Sequence, residues 1–140
     1  MDTIFIKTHQ PRAKYDKPHF FILSKGLNSG KPDNDPFTNS FVLVFQTEEQ
    51  KENVYWIAMS LWKSKFWMPF LRGSVIPFLS LYEFKKEFNP KVTRLMREHE
   101  LHQKNVNALK LLQEQENRFN KNIHLINELK NAIMMRYRIK

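Results

Sequence analysis

The chain has 140 residues, no cysteine, 23 basic and 14 acidic side chains, and a formal net charge of +9. This length allows one domain with a real core plus an appendage, and the missing thiols exclude a disulfide framework or a thiolate metal site. The excess of positive charge points to a polyanionic partner, nucleic acid being the usual one, or to a basic surface that serves solubility alone.

The N-terminal MDTIFIKTHQ lacks the basic-then-apolar pattern of a secretory signal, and no apolar run reaches transmembrane length. A cytoplasmic protein with no membrane association is therefore the expectation. Thr3 to Lys7 reads as a short strand, followed by a polar loop bracketed by Pro11 and Pro18. His19 to Ser24 is a second strand, ended by Gly26, Asn28, Ser29, Gly30 and Pro32. The segment Asp33-Asn34-Asp35-Pro36 reads as a long loop. Ser40 to Gln46 is the clearest strand, apolar on both faces and therefore expected at the centre of a sheet covered on both sides.

Thr47-Glu48-Glu49-Gln50 matches the capping box and opens a helix expected to run to about Ser64 or Phe66. Val54, Ile57 and Leu61 form its apolar face, widened by Tyr55, Trp56, Met59 and Trp62. The stretch from Val54 to Ser80 holds all three Trp residues and no acid. Each indole or phenyl ring buries about 150–250 Å², so this stretch is expected to dominate the core. Pro69 is expected to stop the helix, with Gly73-Ser74 as a turn and Val75-Ile76 as an extended piece. Ser80-Leu81-Tyr82-Glu83 is a second capping box, opening a helix whose Leu81, Phe84 and Phe88 share a face and which Asn89-Pro90 is expected to close.

After Pro90 there is no Pro or Gly for 50 residues, which signals a long helix. The pattern leaves open whether it runs unbroken through 91–108. A heptad places Leu112, Phe119, Ile126 and Ile133 at one seam position and Leu109, Glu116, Ile123, Lys130 and Tyr137 at the other. At about 1.5 Å per residue, 35 such residues span roughly 50 Å. Such a stripe requires cover: a second copy of the chain, a helix of another protein, or the chain's own domain. The expected organisation is an α+β fold, with a small mixed-sheet head over 1–90 and a long coiled-coil-like helix over 91–140. The partner-helix interface would be Leu109, Leu112, Phe119, Ile123, Ile126 and Ile133.

Motifs for catalysis are missing. Gly26-Leu27-Asn28-Ser29-Gly30-Lys31-Pro32 has a phosphate loop's outline, but its glycines are one residue too close and Pro32 stands where a metal-binding hydroxyl is required. His99-Glu100-Leu101-His102 is one residue short of the zinc-protease spacing. No nucleophile elbow or dinucleotide fingerprint occurs. The expectation is no enzyme, no cofactor and no metal.

Two resemblances add to this. Leu61-Trp62-Lys63-Ser64, Gly73-Ser74, Val75 to Leu79, Ser80 with Phe84, Asn89-Pro90, and Gln103 with Val106 follow one another as elements do in the C-terminal part of a target-recognition domain. Residues 54–135 thereby resemble that part of a DNA specificity subunit of type I restriction–modification enzymes, with its following spacer helix. The whole chain also looks like an uncharacterised family of small proteins of Bacteroidota, in which Phe20 to Pro32 and Phe70 to Phe78 recur as segments. The first resemblance implies a head that faces duplex DNA, resembling half a specificity subunit. Its helix would join a second copy in a homodimer or dock on a methyltransferase-type subunit. On that reading Lys25, Lys31, Lys63, Lys65 and Arg72 contact phosphates, and Gly73 and Ser74 let the backbone approach the duplex. The alternative is an adaptor or mimic, without enzymatic activity, that binds a restriction–modification subunit through its C-terminal helix.

Overall fold

A computed structural model describes residues 4–138. The fold is α+β, and the chain divides into two compact units, residues 1–102 and 103–140. The boundary expected at residues 90/91 thus lies twelve residues further on.

Four strands form one sheet: β1 (Phe5–Thr8), β2 (His19–Leu23), β3 (Pro32–Asp33) and β4 (Ser40–Val44), in the order β1-β4-β2-β3. Thr3, expected in the first strand, lies outside the described residues. Every pairing is antiparallel, with Ile6 opposite Leu43 and Phe20 opposite Leu43. The expected mixture of directions is absent because no helical crossover separates any two strands, and parallel pairing needs such a connection. The strand β3 was missed because it has two residues and starts on Pro32, whose lack of an N–H confines it to an edge. β4 is central, as its two apolar faces require.

Register decides what each face buries. Phe20, Ile22, Phe41 and Leu43 join the main core with Val54, Ile57, Phe84 and Phe88 from the helices. On the other face, Phe21 and Val42 are buried as well, and the β1–β2 loop lies over Phe21. There His9, Tyr15 and His19 pack their rings on Phe21, and His9 Nδ1 lies 2.9 Å from the Tyr15 hydroxyl. One face of the sheet is therefore closed by helices and the other by irregular chain.

Helix α1 (Glu48–Lys63) starts as its capping box dictates. The Thr47 hydroxyl accepts from Gln50 N, while the Gln50 side chain accepts from Gln46 N, one residue before the cap. The helix is half-buried: Asn53, Val54, Ile57 and Ala58 are covered, whereas Trp56 and Trp62 are partly exposed. Of the three indoles only Trp67 lies in the core, so the Val54–Ser80 stretch shares the core with the Phe residues of β2, β4 and the next helix.

Pro69 does not stop α1. The helix ends earlier, where Phe66 N donates to Leu61 O and Lys65 N donates to Trp62 O, each at 3.0 Å. This pair of bonds is the Schellman arrangement, which needs a left-handed residue at its turn. Lys65 fills that place at φ 60°. Pro69 instead sits inside a short 3-10 turn, Met68–Phe70. Arg72 and Phe78 then pair in both directions around a loop whose tip exposes Val75 and Ile76. Val75-Ile76 is thus the tip of a loop and not the extended piece expected.

Helix α2 (Leu81–Arg97) begins with the Ser80 hydroxyl accepting from Glu83 N. It passes through Pro90 and continues for two more turns. An interior proline costs about 3 kcal/mol. Beyond it, Val92 is fully buried and Leu95 and Met96 pack on the core. Each such side chain contributes about 1.5–3 kcal/mol when wholly covered, so burial outweighs the lost hydrogen bond. The helix breaks instead at Glu98, whose N–H donates to Leu95 O. Helix α3 (His99–Arg138) follows unbroken, and His102 Nε2 donates to Asn53 O at 2.9 Å. Along α3, Leu112, Phe119, Ile123, Ile126 and Ile133 are each exposed by half or more, and Leu109 is half-buried.

Candidate functional site

The β2–β3 hairpin carries a tight tip. Ser29 Oγ donates to Gly26 O at 2.6 Å, Gly30 N to Leu23 O at 2.8 Å, and Lys31 N to Asn28 O at 3.1 Å. Gly26 N donates to Pro77 O and Leu79 N to Ser24 O, so residues 77–79 fasten the base of this tip. Gly30 has φ +101°, and a Cβ there would meet Trp67 Cδ1 at 2.1 Å. Only glycine lets the hairpin lie against that ring. Trp67 also packs against Phe66, Phe70 and Phe84, at ring separations of 5.0, 6.2 and 5.1 Å.

The hairpin tip and the end of α1 enclose a cavity of about 320 Å³. Trp62, Trp67, Leu27 and Met68 supply apolar walls, and Asn28, Ser29, Lys63 and Lys65 supply polar edges. Lys31 Nζ lies 5.2 Å and Lys63 Nζ 5.6 Å from the centre of the Trp62 ring, so two ammonium groups share one indole. Such contacts hold cations near an aromatic face without neutralising them. No acidic side chain lines the cavity. Trp67 Nε1 is buried and has no hydrogen-bond partner among the described residues.

Of the residues singled out for DNA, Lys31, Lys63 and Lys65 come together here. Lys25 does not; it lines a separate cleft with Phe37 and Ile76. Arg72 is committed elsewhere, its guanidinium 3.2 Å from Glu83 Oε1. Gly73 has φ +98°, and a Cβ would meet Ile76 O at 2.6 Å, so the turn itself accounts for this glycine without any approach to a duplex. Ser74 is exposed beside it. Trp62, Trp67, Leu27, Asn28 and Met68 were not singled out as site residues, because their convergence depends on a contact between residues far apart in sequence. The close spacing of Gly26 and Gly30 was the available signal for a packed tip.

Among the described residues there is no group of three or more metal-ligating side chains, and no helix is long and apolar enough to cross a membrane. Burial raises the pKa of Tyr55, with the Asp33 carboxylate adding to the shift; burial also raises that of Tyr15.

Fold and site together define a small sheet-and-helix protein with a basic, indole-walled cavity, followed by a long helix. The chain belongs to a family of unknown function, DUF6943, which it matches over residues 6–136. No curated protein and no solved structure matches it.

Proposed function

We propose that the chain is a nucleic-acid-binding protein without enzymatic activity, whose head holds backbone phosphates of duplex DNA. The observation that carries this is the meeting of Lys31 and Lys63 on the Trp62 ring, with Lys65 lining the same cavity and no carboxylate lining it. Uncompensated cations beside an apolar surface attract a polyanion and fix its position rather than read its sequence. The excess of 11 basic over 5 acidic residues in 91–140 adds to the same attraction. The sequence resemblance to half a specificity subunit supports the same reading: one head for one half-site, with α3 bringing in a second copy.

Fluorescence anisotropy with a labelled duplex tests it. Three phosphate contacts give a log–log salt slope of about −2.7, so raising salt fourfold weakens binding about 40-fold. Changing all three lysines to Gln reduces the slope by about 2.7 and leaves the share contributed by residues 91–140. Absence of binding in 50 mM salt overturns the proposal.

A second reading is an interaction protein that docks on a restriction–modification subunit through α3. The exposure of Leu112, Phe119, Ile126 and Ile133 along one seam favours it. Light scattering and pull-down, with Ile123→Asp and Ile126→Asp, separate the cases. A mass that falls to the monomer in the variant identifies self-pairing; an unchanged mass and unchanged captured partners reject the helix as the contact.

A further inference from the structure

We propose that the Trp62–Trp67 cavity binds one nucleotide unit, an unstacked base with its phosphate. This rests on the nucleic-acid reading only in sharing its lysines; the cavity's own shape and chemistry carry it. About 320 Å³ lies at the lower end of small-molecule sites, which fits one nucleotide and exceeds what phosphate alone needs. Trp67 is buried and closes the floor, while the partly exposed Trp62 offers a flat, electron-rich face on which a planar base stacks whatever its identity. Asn28 stands at the polar edge, exposed, and its amide can both donate to and accept from a base edge. Lys63 and Lys65 line the same cavity and supply the charge that a phosphate requires.

The backbone of Lys65 is an independent observation. It occupies the left-handed place of a helix-ending turn, where glycine is the relaxed choice. The chain holds a strained lysine at the edge of an apolar cavity. Strain kept at a cleft is a mark of a working position, and a positive charge at the cavity edge gives it a use. The shared chemistry has two sources, a free nucleotide or an unpaired nucleotide in a strand.

Tryptophan fluorescence of the full chain tests this, because all three Trp residues lie in the head and two wall the cavity. The ligands are AMP, adenosine, inorganic phosphate, TMP and a 5′-phosphorylated oligothymidylate of six residues. Saturable quenching by AMP is expected, with adenosine and phosphate each at least tenfold weaker. Lys65→Gly should weaken AMP binding about tenfold, the usual effect of losing a charge-assisted hydrogen bond, while raising the melting temperature. A loss of binding in that variant therefore does not come from unfolding. Trp62→Leu should reduce the quenching as a second check. The oligonucleotide binding more tightly than TMP points to a strand as the source, and equal affinity points to the free nucleotide; either supports the site. AMP binding no tighter than phosphate, or unchanged in Lys65→Gly, overturns it. Salt-dependent duplex binding that survives such a failure leaves the DNA reading standing; AMP binding without duplex binding does the reverse.

Discussion

Replacing Gly30 with Ala tests the contact on which the cavity depends. Two separable effects act there. At φ +101° an L-residue is strained, by about 1–2 kcal/mol. The new Cβ would also stand 2.1 Å from Trp67 Cδ1, and Trp67 is only 2% exposed and ringed by Phe66, Phe70 and Phe84. Forcing an added carbon into such packing costs about 1–3 kcal/mol more. The sum is roughly 2–5 kcal/mol, or about 10–20 °C in melting temperature for a chain of this size. Gly26 provides the control. Its φ is +98° but a Cβ there meets nothing within 4 Å, so Gly26→Ala carries the strain alone. Thermal unfolding followed by tryptophan emission reports the head specifically. Gly30→Ala should melt at least 5 °C below Gly26→Ala, with Trp67 emission altered only in the former. Equal melting of the two variants would refute the seating of the hairpin tip on Trp67.

Lys65→Gly relieves the left-handed turn after α1 and should stabilise the head by about 1 kcal/mol, measured as a shift in denaturant midpoint; a loss of stability would deny the strain. Pro90→Ala restores a hydrogen bond inside α2 and should stabilise by about 1–3 kcal/mol, the lower figure reflecting a freer unfolded chain; destabilisation would mean that the ring packs usefully where it stands. The raised pKa of Tyr55 means the folded state holds the phenol proton more tightly than the unfolded state does. Its contribution is intact below about pH 10 and is lost as pH rises through the raised value, so stability should fall on that limb and Tyr55→Phe should flatten it. Melting curves between pH 9 and 11 check this, and an identical fall in both proteins would remove Tyr55 as the cause.

Local signals were legible and remote ones were not. Thr47 and Ser80 announce their helices because a cap is complete within four residues. β4 announces itself because both of its faces are apolar. Pro90 misled because its cost is local, whereas the burial of Val92, Leu95 and Met96 that outweighs it depends on the sheet. Pro69 misled for the opposite reason: α1 had already ended at Lys65, a residue with no helix-ending signature of its own. The lysines of the cavity could be named individually from charge and position. Their convergence could not, since Lys31 reaches Trp62 only through the fit of Gly30 on Trp67. Lys25 and Arg72 carry the same charge but sit in other surroundings, one in a different cleft and one against Glu83.

The unequal cover of the sheet has a kinetic consequence. The helical side is bound by interlocking rings from two helices, whereas the segment over Phe21 has no ladder of its own. Excursions that lift this strap require less free energy than global unfolding, because few buried contacts are surrendered. Amide protons beneath it would then trade with solvent while those facing the helices stay guarded. The bared Phe21 and Val42 would offer an adhesive patch to neighbouring molecules while the rest of the head keeps its native packing.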